Sequence, residues 1–286
     1  DMTIEYLAGN RVIGIDSEKT QVVSGDAVWG ADENDSIEDF TSYTSQSGGA
    51  KAMDDSWLRS DTSSTLVRAD YSTKTLAASN SGSGTVEKSC YFDLGASTLG
   101  TKWLCRYKCQ VTSFSGRGDT NTQFTGIYLT SSTSNGSQSH MGVSLVAHPS
   151  ANCYCPENRN GQPDFNFNDK MSHTLTAETV WIEMIRDGNG LQLKLYNDAY
   201  YTTSSLIESS IVETNTPSAD LRYLKVLIRK TTGSNAGTIN IKIDDLEIWN
   251  GVTVPIGAID VVDGSVFYTK DTNKEYILNS GVWTKL

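Results

Sequence analysis

Proline is scarce in this chain of 286 residues, with 5 in all, and histidine is scarcer, with 3. So few prolines exclude a proline-rich linker or stalk. Positive charge is also short, since 23 Lys+Arg stand against 34 Asp+Glu for a net charge of −11. A surface of that sign repels phosphate and argues against a nucleic-acid partner. No apolar run approaches the roughly 20 residues of a membrane-spanning helix, so no membrane span is expected. Signatures of nucleophilic and nucleotide chemistry are missing too. There is no G-x-S-x-G elbow, no G-x-x-x-x-G-K-[ST] loop and no dinucleotide fingerprint behind a strand. His140, His148 and His173 lie outside any catalytic motif and read as solvated residues at or beside strand ends. No basic-then-apolar leader precedes Asp1, so the usual sequence signal for secretion is not present.

What remains points to β-structure. Ser and Thr make up more than a fifth of the chain, and 37% of residues are hydrophobic, enough to build a core. Helical spacing is hard to find, whereas two-residue alternation recurs throughout. The clearest unit is Val180–Arg186, then Asp187-Gly188-Asn189-Gly190, then Leu191–Tyr196. Asp-Gly and Asn-Gly supply the positive φ angles of a tight hairpin. Further strands are expected at 65–69, 89–94, 101–114, 123–130, 140–148 and 221–228. In the last long strand, Ile239, Ile241 and Ile243 share one face but Leu246 and Ile248 fall on the other. A bulge at Asp244-Asp245 would bring all five inward. Eight or more strands between about residues 38 and 250, with no helices between them, predict an all-β jelly-roll β-sandwich of two antiparallel sheets. The two ends read as halves of one small β-module, residues 1–37 and 252–286, with the sandwich (38–251) inserted between them.

Five cysteines, Cys90, Cys105, Cys109, Cys153 and Cys155, cannot all pair within one chain. Trp103, Cys105, Tyr107, Cys109 and Val111 alternate onto one face, which makes the two thiols there small core hydrophobes rather than zinc ligands. Cys153-Tyr154-Cys155 reads as part of a polar loop and as the place for a disulfide or a reactive thiol. Downstream, Asp164, Asn166 and Asn168 recur at every second residue, so an extended strand projects three oxygen donors one way. That pattern suits calcium. Sugar faces stack on flat aromatic rings, and Trp57, in Asp54-Asp55-Ser56-Trp57-Leu58, is the most loop-like of the six tryptophans and the candidate for that role.

Cys90-Tyr91-Phe92-Asp93-Leu94-Gly95, the Trp181–Tyr196 hairpin and the closing Ile243-Asp244-Asp245-Leu246-Glu247-Ile248-Trp249 resemble the concanavalin A-like lectin/glucanase superfamily, laminin G-like domains included. The resemblance implies two curved sheets and a concave face of the kind that binds glycans. Laminarinase-like members carry Glu-x-Asp-x-x-Glu, and the nearest match here is Lys242-Ile243-Asp244-Asp245-Leu246-Glu247. Lysine cannot form the glycosyl ester of a retaining hydrolase, so no enzyme is expected. The 164–168 spacing is similar to the Asp-x-aromatic-x-Asn calcium loop of legume lectins, with Asn166 in the aromatic position. The ends, through Tyr6-Leu7-Ala8-Gly9-Asn10-Arg11 and the Phe267…Tyr276…Trp283 pattern, resemble a small module of marine viral and archaeal structural proteins. The expectation is a non-enzymatic structural or adhesion protein of a virion or cell surface, extracellular, that self-assembles or meets other surface proteins. The alternative is a carbohydrate-binding lectin module or a catalytically dead glycoside hydrolase-like domain, with glycans as partners.

Overall fold

The structure is a computed structural model. It describes residues 5–7, 11–14, 26–29, 31–32, 35–36, 57–59, 67–70, 75–80, 86–116, 123–134, 139–161, 169–199, 201, 203–213, 217, 220–230, 237–250, 266–269, 273–279 and 282–286. In chain order the strands are β1 (Glu5–Leu7), β2 (Arg11–Gly14), β3 (Asp26–Trp29), β4 (Ala31–Asp32), β5 (Asp35–Ser36), β6 (Trp57–Arg59), β7 (Val67–Asp70), β8 (Thr75–Asn80), β9 (Val86–Asp93), β10 (Lys102–Ser115) and β11 (Gln123–Thr130). They continue as β12 (His140–His148), β13 (Ala151–Arg159), β14 (Thr179–Asp187), β15 (Gly190–Tyr196), β16 (Leu206–Val212), β17 (Tyr223–Lys230), β18 (Thr238–Asn250), β19 (Val266–Thr269), β20 (Lys274–Asn279) and β21 (Val282–Lys285). No α-helix occurs among the described residues.

Two large antiparallel sheets make a jelly-roll β-sandwich. One has eight strands in the order β16-β15-β14-β10-β18-β8-β7, with β3 also paired to β18. The other has six, in the order β13-β12-β11-β17-β9-β6. Alternation decides which residues meet between them. From the first sheet come Trp103, Cys105, Tyr107 and Cys109, and from the second Ile127, Leu129, Val143 and Leu145, all at 1% exposure or less. The hairpin forms as its turn residues require. Asp187 pairs with Gly190, and Gly188 takes φ +62°.

The bulge in β18 is present. Arg106 faces Glu247 and Lys108 faces Asp244, so Tyr107 opposes two residues, and Asp245 takes φ +50°. Ile239, Ile241, Ile243, Leu246 and Ile248 are consequently all buried. Beyond that bulge β18 outruns its neighbour β8, which covers Ile239–Ile243 only. Backbone groups left there need partners, and β3 supplies them through Trp29, Ala27 and Asp26. Residues 26–29, grouped with the small terminal module by sequence, therefore extend the sandwich sheet. A separate five-stranded sheet, β1-β2-β19-β20-β21, joins the two ends through parallel pairing of β19 with β2.

Two expectations are corrected. Cys153-Tyr154-Cys155 is not a loop but the middle of β13, with all three side chains buried. Polar Asn152, Glu157, Asn158 and Arg159 hid its alternation because both faces of β13 carry buried polar groups. Trp57 opens β6, opposite Phe92, rather than a loop; three residues are too short to show a period. The Trp57 side chain lies outside the described residues.

Candidate functional site

Both sheets carry buried charge on the face turned away from the shared core, and the two arrangements differ. On the eight-stranded sheet, pairing across strands aligns Lys194, Glu183, Arg106 and Glu247 in one row of alternating sign. Glu183 accepts from Arg106 Nε at 2.7 Å and Nη2 at 2.5 Å, from Lys194 Nζ at 3.0 Å and from Tyr196 Oη at 3.2 Å. The Tyr201 ring lies over the guanidinium, 4.2 Å from its carbon. Burial raises the Glu247 carboxyl above its usual range, against the pull of Arg106. Glu183 is saturated with donors, and the buried Arg106 Nη1, which has no hydrogen-bond partner, lies 3.8 Å from Glu247, so this row is a charge-paired structural tie.

The outer face of the six-stranded sheet is less complete. Register places Glu157, Gly142, Tyr128, Lys225 and Tyr91 in one row across β13, β12, β11, β17 and β9. The row beside it holds Arg159, His140, Thr130, Tyr223 and Asp93. Gly142 and Gly126 are there for Tyr128, whose ring lies flat along the sheet. A Cβ on Gly126 would meet Tyr128 Oη at 1.9 Å, and one on Gly142 would meet Tyr128 Cδ1 at 2.7 Å. Glycine inside a strand commonly marks such a close approach. Tyr128 Oη and Ser144 Oγ share a hydrogen bond of 2.6 Å, and His140 packs edge-on against the ring. Phe124, Val146, Cys153, Cys155 and Leu227 form a second apolar cluster around Tyr128.

Two buried polar atoms on this face have no partner. Arg159 Nε donates to Glu157 Oε2 at 3.1 Å, yet Glu157 Oε1 and Arg159 Nη2 are left over. Buried groups of this kind call for an explanation, an ordered water or a bound ligand among them. Lys225 is held differently, donating to the carbonyls of Thr133 and Ser134. Burial pushes the Glu157 carboxyl up to about 8, against the pull of Arg159 and Ser144, and brings the Lys225 ammonium down to about 8. At neutral pH the face thus holds a largely protonated carboxyl and a guanidinium N–H, both buried beside Tyr128, with the half-buried Tyr91 and Tyr223 in the same two rows, a set suited to hydroxyl groups.

The two shifts set a pH profile. Between 4.5 and about 8 the folded state keeps a proton on Glu157 that the unfolded chain has lost, so stability falls as pH rises. Between about 8 and 10.5 the unfolded chain holds a proton on Lys225 that the fold has released, so stability rises. These two groups therefore place a minimum near pH 8. Glu157→Gln mimics the protonated acid. It is expected to leave stability at pH 5 within about 1 kcal/mol of the parent, because the protonated acid and the amide make similar neutral hydrogen bonds, and to exceed the parent above pH 8. Urea denaturation at pH 5, 7 and 9 measures this, and parallel profiles would refute it.

Of the sequence-derived site residues, Asp164, Asn166 and Asn168 lie outside the described residues. Among the described residues no group of three or more His, Cys, Asp or Glu is placed to hold a metal. His173 is better connected than its sequence suggests. Its Nε2 lies 2.9 Å from Glu178, which also accepts from Tyr154 Oη at 3.1 Å.

These features define a class, an all-β jelly-roll sandwich with a polar, aromatic outer sheet face. No protein-family model matches the chain, and no curated protein sequence matches it. Among solved structures, it is similar to the Emp47p carbohydrate recognition domain at 12% identity and TM-score 0.48, over 76% of this chain and 95% of that one. The VIP36 exoplasmic/lumenal domain in a Ca²⁺/Man2-bound form gives 11% and 0.44, over 70% and 84%. Peanut lectin with a nine-residue peptide gives 11% and 0.41, over 73% and 97%.

Proposed function

We propose that the chain is a non-enzymatic carbohydrate-binding module, displayed outside a cell, that takes glycans on the outer face of the six-stranded sheet. The observation that carries this is the pair of unpartnered buried atoms, Glu157 Oε1 and Arg159 Nη2, beside the flat Tyr128 ring. The resemblance of the hairpin and the closing strand to concanavalin A-like proteins supports the same reading. Asp164, Asn166 and Asn168 are the residues that would hold calcium. Residues 1–37 and 252–286, less the 26–29 strand, would form a small module beside the sandwich. A glycan array probed with the full chain, with and without calcium, tests the reading. Retention of a defined set of oligosaccharides is expected, and a blank array at micromolar protein in both conditions would overturn it. A calorimetric titration with no calcium heat would remove the metal alone.

A structural role on a virion or cell surface is the second reading, favoured by one observation. The edge strand β16 exposes Ile207 and Ile211, the latter at 59%. Exposed apolar edges of this kind serve association with another chain. Mass photometry of the native material separates the readings: a regular assembly supports the structural role and a monomer supports the module.

A further inference from the structure

Cys153 and Cys155 stand two residues apart on β13, an edge strand, so both side chains project from the same face. Their sulfurs are 3.5 Å apart and neither is in a disulfide. A cleft of about 330 Å³ runs beside them, lined in part by Pro149, Ala151, Cys153, Lys170 and Thr174. The other three cysteines point into the core between the sheets, where burial raises the Cys105 thiol strongly and pushes Cys109 up to about 12. Cys153 and Cys155 instead belong to the smaller outer cluster.

We propose that Cys153 and Cys155 are a dithiol site that reacts with low-molecular-weight disulfides through the adjoining cleft and closes into an intramolecular disulfide. In the first step the Cys153 thiolate attacks one sulfur of R–S–S–R, forming Cys153–S–S–R and releasing R–S⁻. In the second, Cys155 gives up its proton and its sulfur attacks Cys153 Sγ, expelling the second R–S⁻. Two cysteine thiols are oxidised, one external disulfide is reduced, and the two protons leave on two R–SH. The roles follow from position. Cys153 lines the cleft, and the hydrogen bond from Cys155, with the Lys170 ammonium nearby, lowers its thiol below the ordinary range. That same shared hydrogen bond, with burial, raises Cys155; the bond is lost once Cys153 carries R–S, and Cys155 then resolves because its sulfur already stands 3.5 Å away. Closing the sulfurs from 3.5 Å to a bond of roughly 2.05 Å draws the two residues together. The segment that clamps this edge, through Met171 N to Tyr154 O at 2.8 Å and Leu175 N to Asn152 O at 3.0 Å, must adjust with them.

The test is a peptide mass map of the reduced, desalted full chain after native incubation with oxidised glutathione. The parent is expected to lose two hydrogens in the Cys153–Cys155 peptide and to retain no glutathione. Cys155→Ser is expected to trap glutathione on Cys153, while Cys153→Ser leaves Cys155 unmodified. The map of the parent stands even where a variant folds poorly. An unchanged parent peptide, or glutathione spread evenly over all five cysteines, would overturn the proposal.

Discussion

Arg106→Met is expected to destabilise the fold by about 3–5 kcal/mol, the usual cost of removing one partner from a buried ion pair. Arg106 is 2% exposed and Glu183 1%, so neither can turn to water when its partner is lost. Without the guanidinium, Glu183 keeps Lys194 and Tyr196, but Glu247, 3.8 Å from Arg106 Nη1, loses its nearest cation. Two carboxylates then face one another across an apolar methionine. The loss is a large part of the ~5–15 kcal/mol that holds a typical domain together. The double variant Arg106→Met/Glu247→Gln is expected to recover part of it, because the carboxylate left without a cation is gone. Urea denaturation of the two variants checks this; equal midpoints for the single variant and the parent would show that the row is dispensable.

Gly142→Ala ranks second. The new methyl would sit 2.1 Å from the Ile127 carbonyl oxygen, a backbone atom that cannot move without parting β11 from β12. A cost toward the top of the ~1–3 kcal/mol range of overpacking, or above it, follows. Gly126→Ala makes its clash with the Tyr128 ring instead, at 1.9–2.1 Å. A side chain can turn away, so this variant is expected to melt closer to the parent while evicting Tyr128 from the sheet. Thermal melts order the two variants, and tyrosine near-UV dichroism reports the ring. Equal destabilisation, with an unchanged tyrosine signal in Gly126→Ala, would contradict the packing described for this face.

Much of the sandwich was legible because alternation is a local signal. β11 and β12 begin and end where the pattern does, and the phase break at Asp244-Asp245 announced its bulge before any pairing was known. β13 was not legible. A strand whose two faces both bury polar groups has no apolar/polar period, and Cys153 to Arg159 reads as a loop for that reason. β16 was missed for the opposite reason, since an edge strand with most residues exposed need not alternate. The candidate site depends on register between five strands separated in sequence. Glu157, Tyr128, Lys225 and Tyr91 gave no joint signal; Gly126 and Gly142, two glycines inside strands, are the mark that could have found the close approach there and went unread.

The most direct test of the glycan-binding face is a calorimetric titration of the strongest array ligand into the parent, into Arg159→Met and into a control on the opposite sheet, Lys108→Met. Arg159→Met is expected to lose at least about tenfold in affinity, the ~1.4 kcal/mol or more that a charged hydrogen bond contributes. Lys108→Met is expected to bind as the parent does. Unaltered binding by Arg159→Met, or a loss confined to Lys108→Met, would put the glycan elsewhere and contradict binding on this face.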